Sequence, residues 1–84
     1  MPQMTTIFVG LQGPETATTE DLINGGREAV ARAGYQVGDF ELVQEVSPGV
    51  ICGNLEADRD LYRDSKRHGK TMSWNGIDCV IEAP

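Results

Sequence analysis

The sequence predicts an α+β fold: a small, mostly antiparallel sheet of four or five strands with one main helix packed on one face. Three observations predict it. Apolar and polar residues alternate with period two in several short runs. One stretch alone, 19–33, carries helical spacing with a stop signal at each end. Short glycine turns join the later runs, and such turns make hairpins, hence antiparallel pairs. The 84 residues form a single domain. The element order is β-α-β-β-(short helix or loop)-β-β.

The first strand is TTIFVGLQ, 5–12. Ile7, Val9 and Leu11 share one face, and Thr6, Phe8 and Gly10 the other. Phe8 is therefore either covered by the helix or part of an interface. Gly13-Pro14 ends the strand. Thr18-Thr19-Glu20-Asp21 is a capping-box pattern that opens the helix. Leu22, Ile23, Gly26, Ala29, Val30 and Ala33 form its apolar stripe. Gly26 on that stripe implies close approach to the sheet. Glu28 and Arg32 are an i,i+4 pair, and Gly34 is a left-handed stop.

FELVQEV, 40–46, alternates as a strand, with Phe40, Leu42 and Val46 on one face and Glu41 and Glu45 on the other. Ser47-Pro48-Gly49 reads as a three-residue turn into a second strand, VICGNL, 50–55. The segment 56–69 is strongly charged, and is a short helix with Ala57, Leu61 and Ser65 on one side, or a loop. The ending KTMSW-NG-IDCVIEA is the clearest signal in the chain. Asn75-Gly76 is the favoured two-residue hairpin turn. It pairs Trp74 with Ile77 and Met72 with Cys79, all four on one face. GKTMSWNGIDCVI is similar in pattern to the closing hairpin of many small β-rich proteins, phage head–tail joining subunits among them. The likeness is generic to a glycine-turn hairpin and transfers no site.

Charge is unevenly spread. Net charge is −6. Residues 1–56 hold eight acids and two bases, and so carry all of it; residues 57–84 hold five of each. The five bases, Arg59, Arg63, Lys66, Arg67 and Lys70, fall in one run. On a helix they line about half the circumference, interleaved with Asp58, Asp60 and Asp64. Asp60 with Arg63, and Asp64 with His68, are expected local pairs. The run is a docking surface for an acidic patch, a phosphate contact or a solvated face. The overall negative charge opposes nucleic-acid binding.

Catalytic and cofactor chemistry finds no pattern here. VGLQGPETATTED lacks the lysine of a phosphate loop, and Pro14 removes a donor. Asn54-x-Glu56-x-Asp58-x-Asp60 departs from a calcium loop at its sixth and twelfth positions, Arg59 and Ser65. One histidine and two cysteines complete neither a zinc site nor an accessible Cys–His pair. Cys52 and Cys79 are expected as buried free thiols, with a bridge only if their strands are neighbours. No run is apolar enough to span a membrane and no segment reads as a secretion signal. The expected location is cytoplasmic, or a virion if the chain is of phage origin.

The expected function is non-catalytic protein–protein interaction, with no cofactor and no metal. A chain this short has a thin core, so a partner or self-association is a natural source of stability. The first expectation is an assembly subunit, a virion or ring component, in which the acidic half of one copy meets the basic run of the next. The alternative is a small acidic inhibitor or adaptor that blocks a basic, nucleic-acid-binding site on a partner. The third is nucleic-acid binding through 59–70. The expected partner-binding residues are Arg59, Arg63, Lys66, Arg67, Lys70, Glu41, Glu45 and Trp74, the last as core or as an interface anchor.

Overall fold

A computed structural model describes residues 3–82. Five strands form one antiparallel sheet in the order β2-β3-β1-β5-β4. They are β1 (Met4–Gln12), β2 (Val37–Ser47), β3 (Val50–Asp58), β4 (Lys70–Trp74) and β5 (Ile77–Ile81). Two helices, α1 (Thr19–Arg32) and α2 (Arg59–Ser65), complete the chain. The expected α+β class and element order hold, and the charged segment supplies a helix rather than a loop. No helix among the described residues is long and apolar enough to cross a membrane.

β1 is central because it is the third of the five strands, with β3 on one side and β5 on the other. It pairs with all of β3, from Met4↔Asp58 to Gln12↔Val50. Its last three residues also pair with β5. Period two then decides the core. Ile7, Val9 and Leu11 face the helices, level with Leu55 and Ile51 of β3 and Cys79 of β5. Leu22, Ala29 and Val30 from α1 and Leu61 from α2 close over them in one cluster. Each large side chain buried in this way stabilises by roughly 1.5–3 kcal/mol. Both helices therefore sit on the same side of the sheet.

α1 starts as its sequence requires. The Thr18 hydroxyl accepts from the Asp21 N–H at 3.0 Å, and the Asp21 carboxylate accepts from the Thr18 N–H at 3.1 Å. The buried face is Leu22, Gly25, Gly26, Ala29 and Val30. Gly25 joins the stripe unexpectedly, and Ala33 lies exposed at the cap. The glycine pair is a packing device. A Cβ on Gly26 would run into the Leu11 side chain, and one on Gly25 would meet Ile77, whose own Cβ would lie only 3.0 Å away. Two polar clamps hold α1 to β2. Arg27 Nε donates to the Gly38 carbonyl at 2.7 Å, and the Thr19 hydroxyl donates to Glu45 at 2.7 Å.

The final hairpin has the expected register, with Trp74↔Ile77 and Met72↔Cys79. Asn75 and Gly76 both take positive φ, 53° and 79°, as a type I′ turn demands.

The other hairpin differs from expectation in three ways. Both strands are longer, because Val37 and Ala57 still pair beyond the alternating run. The turn has two central residues, Pro48 and Gly49, since Ser47 pairs with Val50. Gly49 has φ 79°, the value a type II turn requires after proline. Third, β2 is bulged. Its register shifts between Val37 and Phe40, between Leu42 and Gln44, and between Glu45 and Ser47. Each irregularity puts alternation out of phase. Glu41 and Glu45 consequently land on opposite faces: Glu41 lies beside Asn54, while Glu45 lies beside buried Ile51. Val46, next to Glu45 along the strand, is turned outward and is 54% exposed.

Gly25→Ala is expected to lower stability by about 1–3 kcal/mol through overpacking against Ile77. In an isolated helix the same change would stabilise by about 1 kcal/mol. Urea unfolding of the two proteins measures which effect wins.

Candidate functional site

With both helices on one side, no element among the described residues covers the other face of the sheet. Period two places Thr6, Phe8, Gly10 and Gln12 of β1 there, with Cys52, Asn54 and Glu56 of β3 and Asp78 and Val80 of β5. Phe8 stands near the centre and is 57% exposed. Gly10 lies between Cys52 and Val80, and no atom comes within 4 Å of where its Cβ would be. The missing side chain leaves a hollow of about 280 Å³, walled by Phe8, Gln12, Cys52, Val80 and Glu82. A second hollow of about 500 Å³ adjoins it along β1 and β3. Asp39, Glu41 and Glu56 line it together with Thr6 and Asn54. No Lys or Arg lines either hollow. The one base carried by the strands, Lys70, pairs with buried Ile81 and so belongs to the helix side.

The expected basic run divides. Arg59, Tyr62, Arg63 and Lys66, together with Asp60, border one hollow on the outer side of α2. Their offsets of 3, 4 and 7 make a helical stripe, opposite the buried Leu61 and Ser65. The Ser65 hydroxyl donates to the Tyr62 carbonyl at 3.1 Å. Arg59 reaches Gln3, and its N–H donates to the Gln3 carbonyl at 2.8 Å. Arg63 pairs with Asp60 at 3.3 Å, as expected, and with Asp64 at 3.7 Å. Asp64 does not pair with His68, because Tyr35 occupies it: the Tyr35 hydroxyl donates to Asp64 at 2.7 Å. Arg67 and His68 lie exposed beyond the helix. Lys70 opens β4, with its ammonium 5.7 Å from the centre of the Tyr35 ring. Three of the five bases thus share one surface.

The acidic expectation divides as well. Glu41 lies on the open face, and Glu45 is held on the helix side by Thr19. Trp74 is neither fully packed nor a free tip. It is 37% exposed, and the Arg32 guanidinium stacks over its ring at 3.4 Å. It borders a concavity of about 560 Å³ between α1 and the β4–β5 turn. The carboxylates there are already engaged. Asp21 serves the helix cap and Glu28 accepts from Arg32 at 3.0 Å.

The cysteines are free and lie on opposite faces of strands that do not adjoin. Cys79 is fully enclosed, and burial pushes its thiol up to about 12. Cys52 is half-buried in the wall of the apolar hollow. Tyr35 also titrates above its ordinary 10.0, first because its hydroxyl donates to Asp64 and then through burial and the charges of Asp64, Asp60 and Asp58.

Comparison with known proteins adds nothing to this geometry: no family model, no curated protein and no solved structure gives a significant match.

Sequence reasoning singles out Glu41 and the α2 bases. It poses the question of Phe8 but does not gather Asp39, Glu56, Cys52 and Val80 around it. The alternation in β1 and β3 carries that signal once β1 is known to lie between β3 and β5.

A thiol reagent is expected to modify Cys52 in the folded protein and Cys79 only in denaturant, which mass spectrometry of the labelled peptides reads directly. The raised Tyr35 value means the folded state holds that proton more tightly. Its contribution is complete below about pH 10 and declines as pH rises further. Tyr35→Phe is expected to flatten the fall in melting temperature across that alkaline window.

Proposed function

We propose that this protein is a non-catalytic interaction module that docks the open face of its sheet onto a basic, partly aromatic surface. One observation supports the reading above the others: Phe8, more than half exposed at the centre of a sheet face whose other charged residues are carboxylates. An aromatic anchor beside a hollow is the usual energetic centre of an interface. Unopposed carboxylates around it favour cationic partners and speed their encounter. β1 and β3 run about 30 Å, while the five-residue β4 and β5 run about 17 Å. At a spacing of about 4.8 Å the five strands present roughly 640 Å², somewhat below the ~800 Å² per partner of a standard interface.

The module serves an assembly subunit or an acidic inhibitor equally well; the difference is who carries the basic surface. Nucleic-acid binding through α2 has less support. The stripe holds three of the five bases, with Asp60 beside them, and Arg67 and Lys70 lie off it. Two free thiols on opposite faces suit a reducing compartment. The reading therefore takes the cytoplasm, or a virion assembled there, as its setting.

The test uses wild-type protein and Phe8→Ser as bait in an extract of the source cells, followed by thiol labelling of bound bait. Phe8→Ser is expected to keep its fold and lose retention of the partner by tenfold or more, about 1.4 kcal/mol. In the wild-type complex Cys52 is expected to become resistant to the reagent. Equal retention by Phe8→Ser, with Cys52 still reactive, would reject the open face as the docking surface.

A further inference from the structure

We infer that the occupant of the open face is α2 of a second copy of this chain, seated head to tail. The inference rests on the docking reading above and names its partner.

Chemistry, spacing and charge support it. The open face offers an apolar hollow beside Phe8 and, next to it, a hollow lined by Asp39, Glu41 and Glu56. The outer side of α2 offers a largely converse set: Tyr62, 46% exposed, flanked by Arg59, Arg63 and Lys66, with Asp60 as the one acid among them. The spacing also agrees. Phe8 and Thr6, which mark the two hollows on β1, are two strand residues apart, about 6.6 Å. Tyr62 and Lys66 are one turn apart on α2, about 6 Å. A tyrosine in the apolar hollow therefore brings cationic groups over the acidic one. Arg63 gives up little in the exchange. Its side chain is 72% exposed in its present pairs, and exposed pairs contribute about 0–1 kcal/mol.

Charge disfavours the simplest alternative for a second copy. In a two-fold dimer of open faces neither hollow brings a Lys or Arg to the carboxylates of its mate, so they stay unpaired. The face and α2's outer side are different surfaces of one molecule, so their contact is heterologous. It closes as a ring or continues as a filament.

The experiment is mixing of two half-disabled proteins. Phe8→Ser with Glu56→Gln disables the face and leaves α2 intact. Tyr62→Ser with Arg63→Gln disables α2 and leaves the face intact. All four side chains are exposed, and circular dichroism with thermal unfolding checks each fold. Mass is followed by sedimentation velocity across concentration, in about 50 mM and about 500 mM salt. Wild type is expected to exceed its 9.1 kDa monomer with increasing concentration, and to do so at least tenfold less readily in high salt. Each variant alone is expected to remain a monomer. An equimolar mixture is expected to give a capped 1:1 dimer and nothing larger, because each partner keeps one working surface.

Wild-type protein that stays monomeric at every concentration would overturn the inference. So would assembly of the α2 variant as readily as wild type, or a mixture that fails to pair while wild type assembles. A monomeric wild type that still holds a different protein through Phe8 separates the two failures: the second-copy inference falls and the docking reading stands.

Discussion

The close seat of α1 on the sheet is the contact on which the remaining structure depends. Gly25 and Gly26 let the helix backbone settle onto Ile77 and Leu11. That approach brings Leu22, Ala29 and Val30 into the same layer as β1, β3 and β5. A chain of this size can fill one such layer only. α2 extends the layer at the far end through Leu61, and Tyr35 fastens it there by way of Asp64. Most of the apolar side chains are consumed on one side, so the other side of the sheet is left to Phe8 and Val80 among small, polar and acidic residues. The uncovered face follows from how the core is built.

Where the sequence speaks through short-range rules, it is legible. The Thr18 cap, the Glu28–Arg32 pair, the Gly34 stop and the Asn75-Gly76 hairpin each involve residues within a few positions of one another. Their chemistry acts before any tertiary contact exists. β2 is illegible for the opposite reason. No residue type marks its irregularities, and period two keeps no memory of an extra residue. The assignment of Glu41 and Glu45 to one face fails at that point, and the placing of Val46 with Phe40 and Leu42 fails with it. α2 is half-legible: Leu61 and Ser65 do form its inner side, but Ala57 belongs to the preceding strand. The candidate surface needs one further fact, the strand order. Phe8 is ambiguous in β1 alone and unambiguous once both helices lie behind it.

Charge follows the same logic. The acids of the first half do not form one patch, because helix caps and clamps use several of them: Asp21 at Thr18, Glu28 at Arg32, Glu45 at Thr19. Of the five that remain, topology gathers three, with Asp39 and Glu41 from β2 meeting Glu56 from β3. The bases behave likewise. Lys70 is drawn toward the Tyr35 ring and Arg32 toward the Trp74 ring. The α2 stripe keeps three. A linear count of charges therefore overstates the size of both patches and understates how sharply they are separated.

The irregular edge of β2 carries one more consequence. A sheet edge recruits another strand by presenting N–H and C=O groups at a constant interval. Three register shifts in eleven residues break that interval repeatedly, so an incoming strand finds no ladder to extend. At the opposite edge β4 is only five residues long, too short for a durable zipper. The protein is thereby protected at both margins from the sideways growth that ends in amyloid, and whatever it joins must meet it across side chains, where sequence can discriminate.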